Sequence, residues 1–299
     1  MSNYQYDNKH LPFGHSAAIN DSDVLEAMQD IDLTKLSDVN INKEFCKAYL
    51  EWIKSHSHTN RGLEQFKYAV YSHGTSEAFD KFYLKNLNRR FRIFKSEYLY
   101  HQLAWRNSKL DWKYIEDARL DKNDAVVISY PFADTGNKHE KMDFILQNCS
   151  AMGIPVLIDC AYYTISTGLE FNFNHECITD ITFSLSKTFP VAHARIGMRL
   201  TKEDDDDTLF VYEKANYQNR LGAILGLKLI NNFNSNYIVN KYRDTQLEFC
   251  KLTKTKPSST VLFGLGDATW NDYNRGGNTN RLSFHNFLDK GVLDGSTIK

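Results

Sequence analysis

Two hydrophobic periods alternate along this chain. In "KEFCKAYLEWIKS", residues 43–55, the apolar positions fall on one face of an amphipathic helix. Residues 137–152 repeat the pattern, with Met142, Ile145, Leu146, Cys149 and Met152 on one stripe and Gly153 placed to end it. A further helix starts near Asn20–Asp23 and continues through "VLEAMQDI". Between these lie continuous apolar runs of buried-strand type: "DAVVISYPF" (124–132), "IPVLIDCAYY" (154–163) and "DITFSLS" (180–186). Two shorter strands are expected at "KYAVYSH", which leads through a turn at Gly74 into a helix, and at "FRIFK" (91–95). "KEDDDD" (202–207) reads as an exposed loop and residues 211–250 as mostly helical. The last fifty residues mix the turn cluster "NRGGNTN" with a short strand, "RLSF", and a final helix. Strands alternating with helices over 68–200 predict an α/β domain with a mainly parallel sheet.

Composition narrows the function classes. The 299 residues are 42% hydrophobic and 24% charged, with a net charge of −1, so no global field draws nucleic acid or an anionic membrane. No apolar run approaches bilayer-spanning length, and "MSNYQYDNKHLPFG" has no signal-peptide pattern, so a cytoplasmic protein is expected. The five cysteines are widely spaced, with no C-x-x-C, and point to reduced thiols and no metal. "NRRFRIFKSEYLYHQLAWR" (88–106) interleaves basic and aromatic residues, as single-strand nucleic-acid binders do. It is better read as a helix end carrying Lys and Arg, followed by a buried strand.

Ligands of parallel sheets bind at the carboxyl ends of the strands. That rule singles out four loops. "HGTSEA" offers the free N–H groups of a helix start and the hydroxyls of Thr75 and Ser76 to an anion. Asp159, ending a strand, offers a carboxylate to a cationic nitrogen, and Tyr162 a hydrogen bond to a phenolate. Ser184 and Ser186 flank Lys187, and Arg195 adds a second anion contact. Phosphate, ring nitrogen, ring oxygen and aldehyde are the four handles of pyridoxal 5'-phosphate (PLP), and each has a candidate partner.

At these positions the chain resembles the fold-type I PLP enzymes, and within them the class I/II aminotransferases. "DCAY" (159–162) is similar to the family's D-x-A-Y strand end. "SLSK" followed by "ARIG" is similar to its S-x-S-K…R-x-G segment, with the same eight-residue step from Lys187 to Arg195. "PFADTG" (131–136) resembles the P-N-N-P-T-G turn, "LPFGHSAAINDSDVLEAM" the N-terminal substrate loop and helix, and "NRLSF" the strand carrying the carboxylate-binding arginine. The resemblance implies an aspartate aminotransferase-like fold. A large domain would span 36–229, and 1–35 with 230–299 would form a small one, in a homodimer. It implies that Lys187 attaches the cofactor's aldehyde and shuttles the proton, that Asp159 pairs with the ring nitrogen and that Tyr162 bonds the 3-oxygen. Gly74, Thr75, Ser76, Ser184 and Arg195 would hold the phosphate, and Tyr98, or less favourably Tyr100, would stack on the ring. Arg281, with Arg275 as its rival, would bind the substrate carboxylate beside the Gly14 backbone. Aminotransfer on an amino acid or small carboxylate-bearing amine is the activity implied. A PLP-dependent lyase, decarboxylase or cyclase is the alternative, as is a binding protein that has lost catalysis. The chain departs from the family at Ala133, where an asparagine is usual, and at Asp134, where a proline is. "LTKLSDVNINKEF" also lacks the tyrosine that members send to a neighbouring subunit.

Overall fold

The structure, a computed structural model, describes residues 10–296 and 298. Its strands are β1 (Thr59–Arg61), β2 (Tyr68–His73), β3 (Arg90–Ile93), β4 (Trp112–Tyr114), β5 (Asp124–Ser129), β6 (Val156–Asp159), β7 (Glu170–Asn172), β8 (Ile178–Ser184), β9 (Ile196–Thr201), β10 (Lys256–Pro257), β11 (Phe263–Gly266) and β12 (Asn280–Ser283). The helices are α1 (Ser22–Ala27), α2 (Ile41–Lys54), α3 (Gly74–Lys85), α4 (Leu99–Asn107), α5 (Met142–Met152), α6 (Thr208–Ala215), α7 (Arg220–Asn232), α8 (Tyr237–Thr253) and α9 (His285–Leu288). A seven-stranded sheet runs in the order β2-β9-β8-β6-β5-β3-β4. Its pairs are parallel except those of β9, which runs antiparallel to both β2 and β8. The sheet is the mainly parallel one that the alternation of elements predicts.

Strands β5 and β6 are buried along their whole length, which is why their sequences carry no polar alternation. β10, β11 and β12 form a separate antiparallel sheet, and the N-terminal segment docks beside it. The Ser283 N–H donates to the Phe13 carbonyl at 2.9 Å, and the Phe13 ring packs against Trp270, Tyr273, Phe284 and Phe287. The two ends of the chain thereby meet over the carboxyl edge of the large sheet.

Several local expectations change. The α5 helix begins at Met142 and not at 137, because residues 132–137 close a turn of their own: the Phe132 N–H donates to the Asn137 carbonyl at 2.8 Å. Gly153 ends it in the left-handed region, as expected, but Met152 stays exposed. Residues 211–250 break into three helices because Asn216 takes φ +58° and the Asn219 side chain caps α7. β4 carries no apolar run and was not expected.

The acidic run is a loop with Glu203, Asp204 and Asp206 exposed, as expected, but Asp205 and Asp207 turn inward from it. Arg199, fully buried on β9, bonds Asp180 at 2.6 Å and also pairs with Asp205 and Asp207. A buried guanidinium needs such partners. Asp207 in addition caps α6 through the Leu209 N–H at 2.9 Å. Arg90 and Arg92 in the basic segment are likewise turned inward onto Asp124, at 2.7 and 2.6 Å. Among the described residues no helix is long and apolar enough to cross a membrane. All five cysteines are buried free thiols.

Candidate active site

A cavity of about 330 Å³ opens where the strand ends of the large sheet meet the N-terminal segment and β12. Its wall includes Gly14, Thr75, Ser76, Tyr98, Asp159, Tyr162, Ser184, Lys187, Arg195, Arg275 and Arg281. Six segments far apart in sequence thus deliver nearly every candidate residue to one space.

At one end the start of α3 faces Arg195. Gly74 takes φ +70°, and a Cβ built there would lie 2.5 Å from the Arg195 guanidinium. A Cβ on Gly197 would lie 2.8 Å from the Gly74 backbone. Both glycines are required by this close approach. Arg195 itself adopts φ +55°, which turns its side chain back onto α3. Its Nη2 donates to the His73 carbonyl at 3.0 Å and to Ser76 Oγ at 2.8 Å, and Nη1 to the Ala192 carbonyl at 3.2 Å. Gly74 lies behind this guanidinium and does not line the cavity, so it shapes the cradle and offers it no contact. Ser184 Oγ donates to the Ile196 carbonyl at 3.1 Å and accepts from the Ser186 N–H, bracing the turn that presents Lys187.

In the middle stand an acid and a lysine. Asp159 ends β6, and its carboxylate accepts from the Ala161 N–H at 3.1 Å. Burial, then the neighbouring Glu97 carboxylate, push it up to about 8, although Ala161 and Lys187 pull the other way. Lys187 Nζ donates to the Ser16 carbonyl at 2.7 Å and lies 5.7 Å from the centre of the Tyr162 ring. Burial alone would raise the Tyr162 phenol, but the facing charges of Lys187 and Arg281 hold it below its ordinary value. Tyr98 caps α4 and forms part of the wall, while Tyr100 turns away to bond Asp80 at 3.0 Å. Tyr98 is therefore the aromatic that can cover a planar ligand.

No protein-family model and no curated protein matches the sequence. Solved structures do match. Histidinol-phosphate aminotransferase from Clostridium acetobutylicum superposes with a TM-score of 0.65 at 17% identity, covering 95% of each chain. N-succinyldiaminopimelate aminotransferase from Mycobacterium tuberculosis gives 0.66 at 13% identity, over 94% of this chain and 88% of that one. A PLP-bound C-S lyase from Staphylococcus hominis gives 0.66 at 12% identity, over 93% and 83%. The chain has the aminotransferase fold.

On this aminotransferase fold two arginines form the third part of the cavity. Arg275 and Arg281 each donate Nη1 to the same acceptor, the Ala133 carbonyl, at 2.8 and 2.7 Å. Arg281 Nε is buried without a hydrogen-bond partner, and the guanidinium stacks 4.4 Å from the Phe263 ring centre. Burial, then the adjacent Arg275 charge, bring Arg281 down to about 10. Gly14 lines the cavity, but its N–H already donates to the Leu11 carbonyl at 3.0 Å.

Some participants have no signal in the sequence. Ser16 holds Lys187 through its carbonyl, which any residue could supply. Glu97 is fully buried; it accepts from the Ser129 N–H at 3.0 Å and the Tyr98 N–H at 2.9 Å, and it also bonds the Ser129 hydroxyl. Ser129 is paired with Asp159 across β5 and β6, so Glu97 braces the strand end that carries Asp159 and the loop that carries Tyr98. An acid next to a tyrosine is too common a pair to announce this.

Proposed function

We propose that this protein binds pyridoxal 5'-phosphate in the cavity and transfers the amino group of an amino acid or a small carboxylate-bearing amine. The observation that carries the reading is the convergence of Lys187, Asp159, Tyr162 and Arg195 on one cavity. The residues fit the group. The Arg195 guanidinium and the Ser76 hydroxyl form a cradle that both glycines leave open, at the positive end of α3. Among the described residues Asp159 supplies the one carboxyl on the wall.

When bound, the cofactor supplies an electron sink for charge developing beside the amino nitrogen. The chain does the rest. Arg195, Thr75, Ser76 and Ser184 fix the phosphate. Asp159 holds a proton at the ring nitrogen, and Tyr162, its phenol acidified by Lys187 and Arg281, donates to the ring oxygen. Lys187 would hold the cofactor at its aldehyde carbon, and its amine, when free, would move the proton at the carbon that bears the substrate nitrogen. Arg281 offers a planar fork to the substrate carboxylate. Tyr98 covers the ring face and excludes water.

The likeness to a C-S lyase keeps bond cleavage at the same carbon framework as a second reading, because the same residues serve both. A non-catalytic binding role is disfavoured by Lys187, which lies within the cavity with its amine at the wall. The test is the visible spectrum of the PLP-loaded protein against a panel of amino acids. Conversion of the bound band to that of the pyridoxamine form, with release of a keto acid, supports aminotransfer. Release of ammonia or a thiol with the band retained contradicts it in favour of the lyase.

Two substitutions probe the ends of the cavity. Arg195→Ala should weaken cofactor binding by about tenfold to a hundredfold, the loss of one charge-assisted contact, measured by titrating the apoprotein with PLP. Unchanged affinity would remove Arg195 from the phosphate site. Arg281→Lys should raise KM for a carboxylate substrate by about tenfold or more while the bound cofactor's spectrum stays as it is, since a lysine lacks the planar fork. If the spectrum changes and KM does not, Arg281 faces the cofactor.

A further inference from the structure

A second buried acid stands behind the cavity wall, beside the carboxyl that faces the cofactor. Asp159 and Ser129 are register partners on adjacent parallel strands, which lie about 4.8 Å apart, so their side chains leave the same face of the sheet. Glu97 is fully buried and fixed onto Ser129. Its Oε2 accepts from the Ser129 N–H at 3.0 Å, while Oε1 bonds the Ser129 hydroxyl and accepts from the Tyr98 N–H at 2.9 Å. The Glu97 and Asp159 carboxyls are therefore neighbours in the core. Bracing two loops would not by itself require a second acid there.

Two carboxyls side by side in a low-dielectric interior do not both ionise until a cation joins them. Burial raises Glu97, but the Ser129 hydroxyl, the Ser129 and Tyr98 N–H groups and the Arg275 charge all favour its ionised form, so Glu97 carries the charge. Arg275 is itself 3.7 Å from Asp134. Asp159 keeps its proton: burial, then Glu97, hold it at about 8, against the Ala161 N–H and Lys187. The titratable groups packed around the pair add no charge. Burial lowers the His101 imidazole on α4 to about 3, and it raises the Tyr83 phenol on α3 and the Cys160 thiol.

We infer that Glu97 is a positioning residue that acts through Asp159 and makes cofactor loading an exchange of one proton for the cationic ring nitrogen of PLP. The inference rests on the proposed PLP reading and deepens it. In the apoprotein the two carboxyls share one negative charge and one proton. On loading, the Asp159 O–H bond breaks and its proton passes to water. The ring nitrogen, basic enough to arrive protonated near neutral pH, keeps its N–H and donates it to the Asp159 carboxylate. The cation then lies against two acids instead of one, and the charged form of the ring, on which the electron sink depends, is the form the site selects.

The test is the affinity of the apoprotein for PLP, titrated at pH 6 and pH 8 in the wild type, Glu97→Gln, Asp159→Asn and the double variant. Expelling a proton makes affinity rise with pH. The rise in the wild type should exceed that in Glu97→Gln by about fivefold or more, because without its neighbour Asp159 has already lost part of its proton at pH 6. The cofactor's phosphate and Lys187 contribute alike to both. In the Asp159→Asn background Glu97 should no longer steepen the rise. A residue that only braced the loops would change affinity by the same factor at both pH values. The visible band reports that each protein is folded and loaded. Should Glu97→Gln fail to load, Glu97→Asp, one methylene shorter, draws the carboxyl back and should show a smaller rise than the wild type. Equal rises in the wild type and the loaded variant overturn the inference, as does a steepening by Glu97 that survives Asp159→Asn. A wild-type protein that acquires no visible band overturns the cofactor reading instead, and the inference with it.

Discussion

Replacing Lys187 with alanine should lower amine transfer by about ten-thousandfold or more, because it removes both the covalent anchor and the group that moves the proton. The fold should survive. Among the described residues the side chain makes one hydrogen bond, to the Ser16 carbonyl, and the N-terminal segment keeps its tie through Phe13 and Ser283. PLP should still bind through the Arg195 cradle, so the variant should retain cofactor without the visible band of the lysine-bound form. A small amine such as methylamine, added to the variant, should recover part of the lost rate by standing in for the missing proton carrier. Full activity in Lys187→Ala would mean that another lysine performs the reaction, and among the described residues no other lysine lines the cavity.

Asp159→Asn should leave the cofactor bound and lower turnover by about a thousandfold, since an amide holds no proton at the ring nitrogen and the developing charge loses its sink. The same substitution should stabilise the apoprotein. Burial and Glu97 raise the Asp159 carboxyl to about 8, so between the ordinary carboxylate range and pH 8 the folded state binds a proton that the unfolded state releases. Stability then falls as pH rises through that window, by about 1.4 kcal/mol per pH unit for this one group. Asparagine removes the dependence. Denaturant unfolding of the apoprotein at pH 5 and pH 8 should show a smaller difference in the variant than in the wild type. Equal differences would place the titration on another group. A site that is stabilised by its own inactivation is one whose geometry is kept for chemistry.

The large sheet was legible because buried parallel strands announce themselves. β5, β6 and β8 are buried almost throughout, and Asp159, Tyr162, Ser184 and Lys187 stand at or just beyond the ends where ligands bind. Spacing was enough to place them, because the distance from a strand end to its loop is set by local geometry. What sequence could not carry were contacts made by backbone or across the fold. The Ser16 carbonyl that holds Lys187 has no side-chain signature, and the buried Glu97 acts through Ser129, thirty-two positions away. Charge runs misled for the same reason. Asp205 and Asp207 look solvated until Arg199, buried on β9 one strand in from the sheet edge, is seen to need them. Arg275 and Arg281 were weighed as rivals for the substrate carboxylate; the structure brings both to the same carbonyl.

The central claim is that Lys187 is the residue to which the cofactor attaches. Loading the protein with PLP, reducing it with borohydride and mapping the modified peptide by mass spectrometry tests this directly. The expected result is one pyridoxyl group per chain, on Lys187, prevented by Lys187→Ala. Modification of a different lysine, or of several surface lysines with Lys187 unmodified, would contradict it.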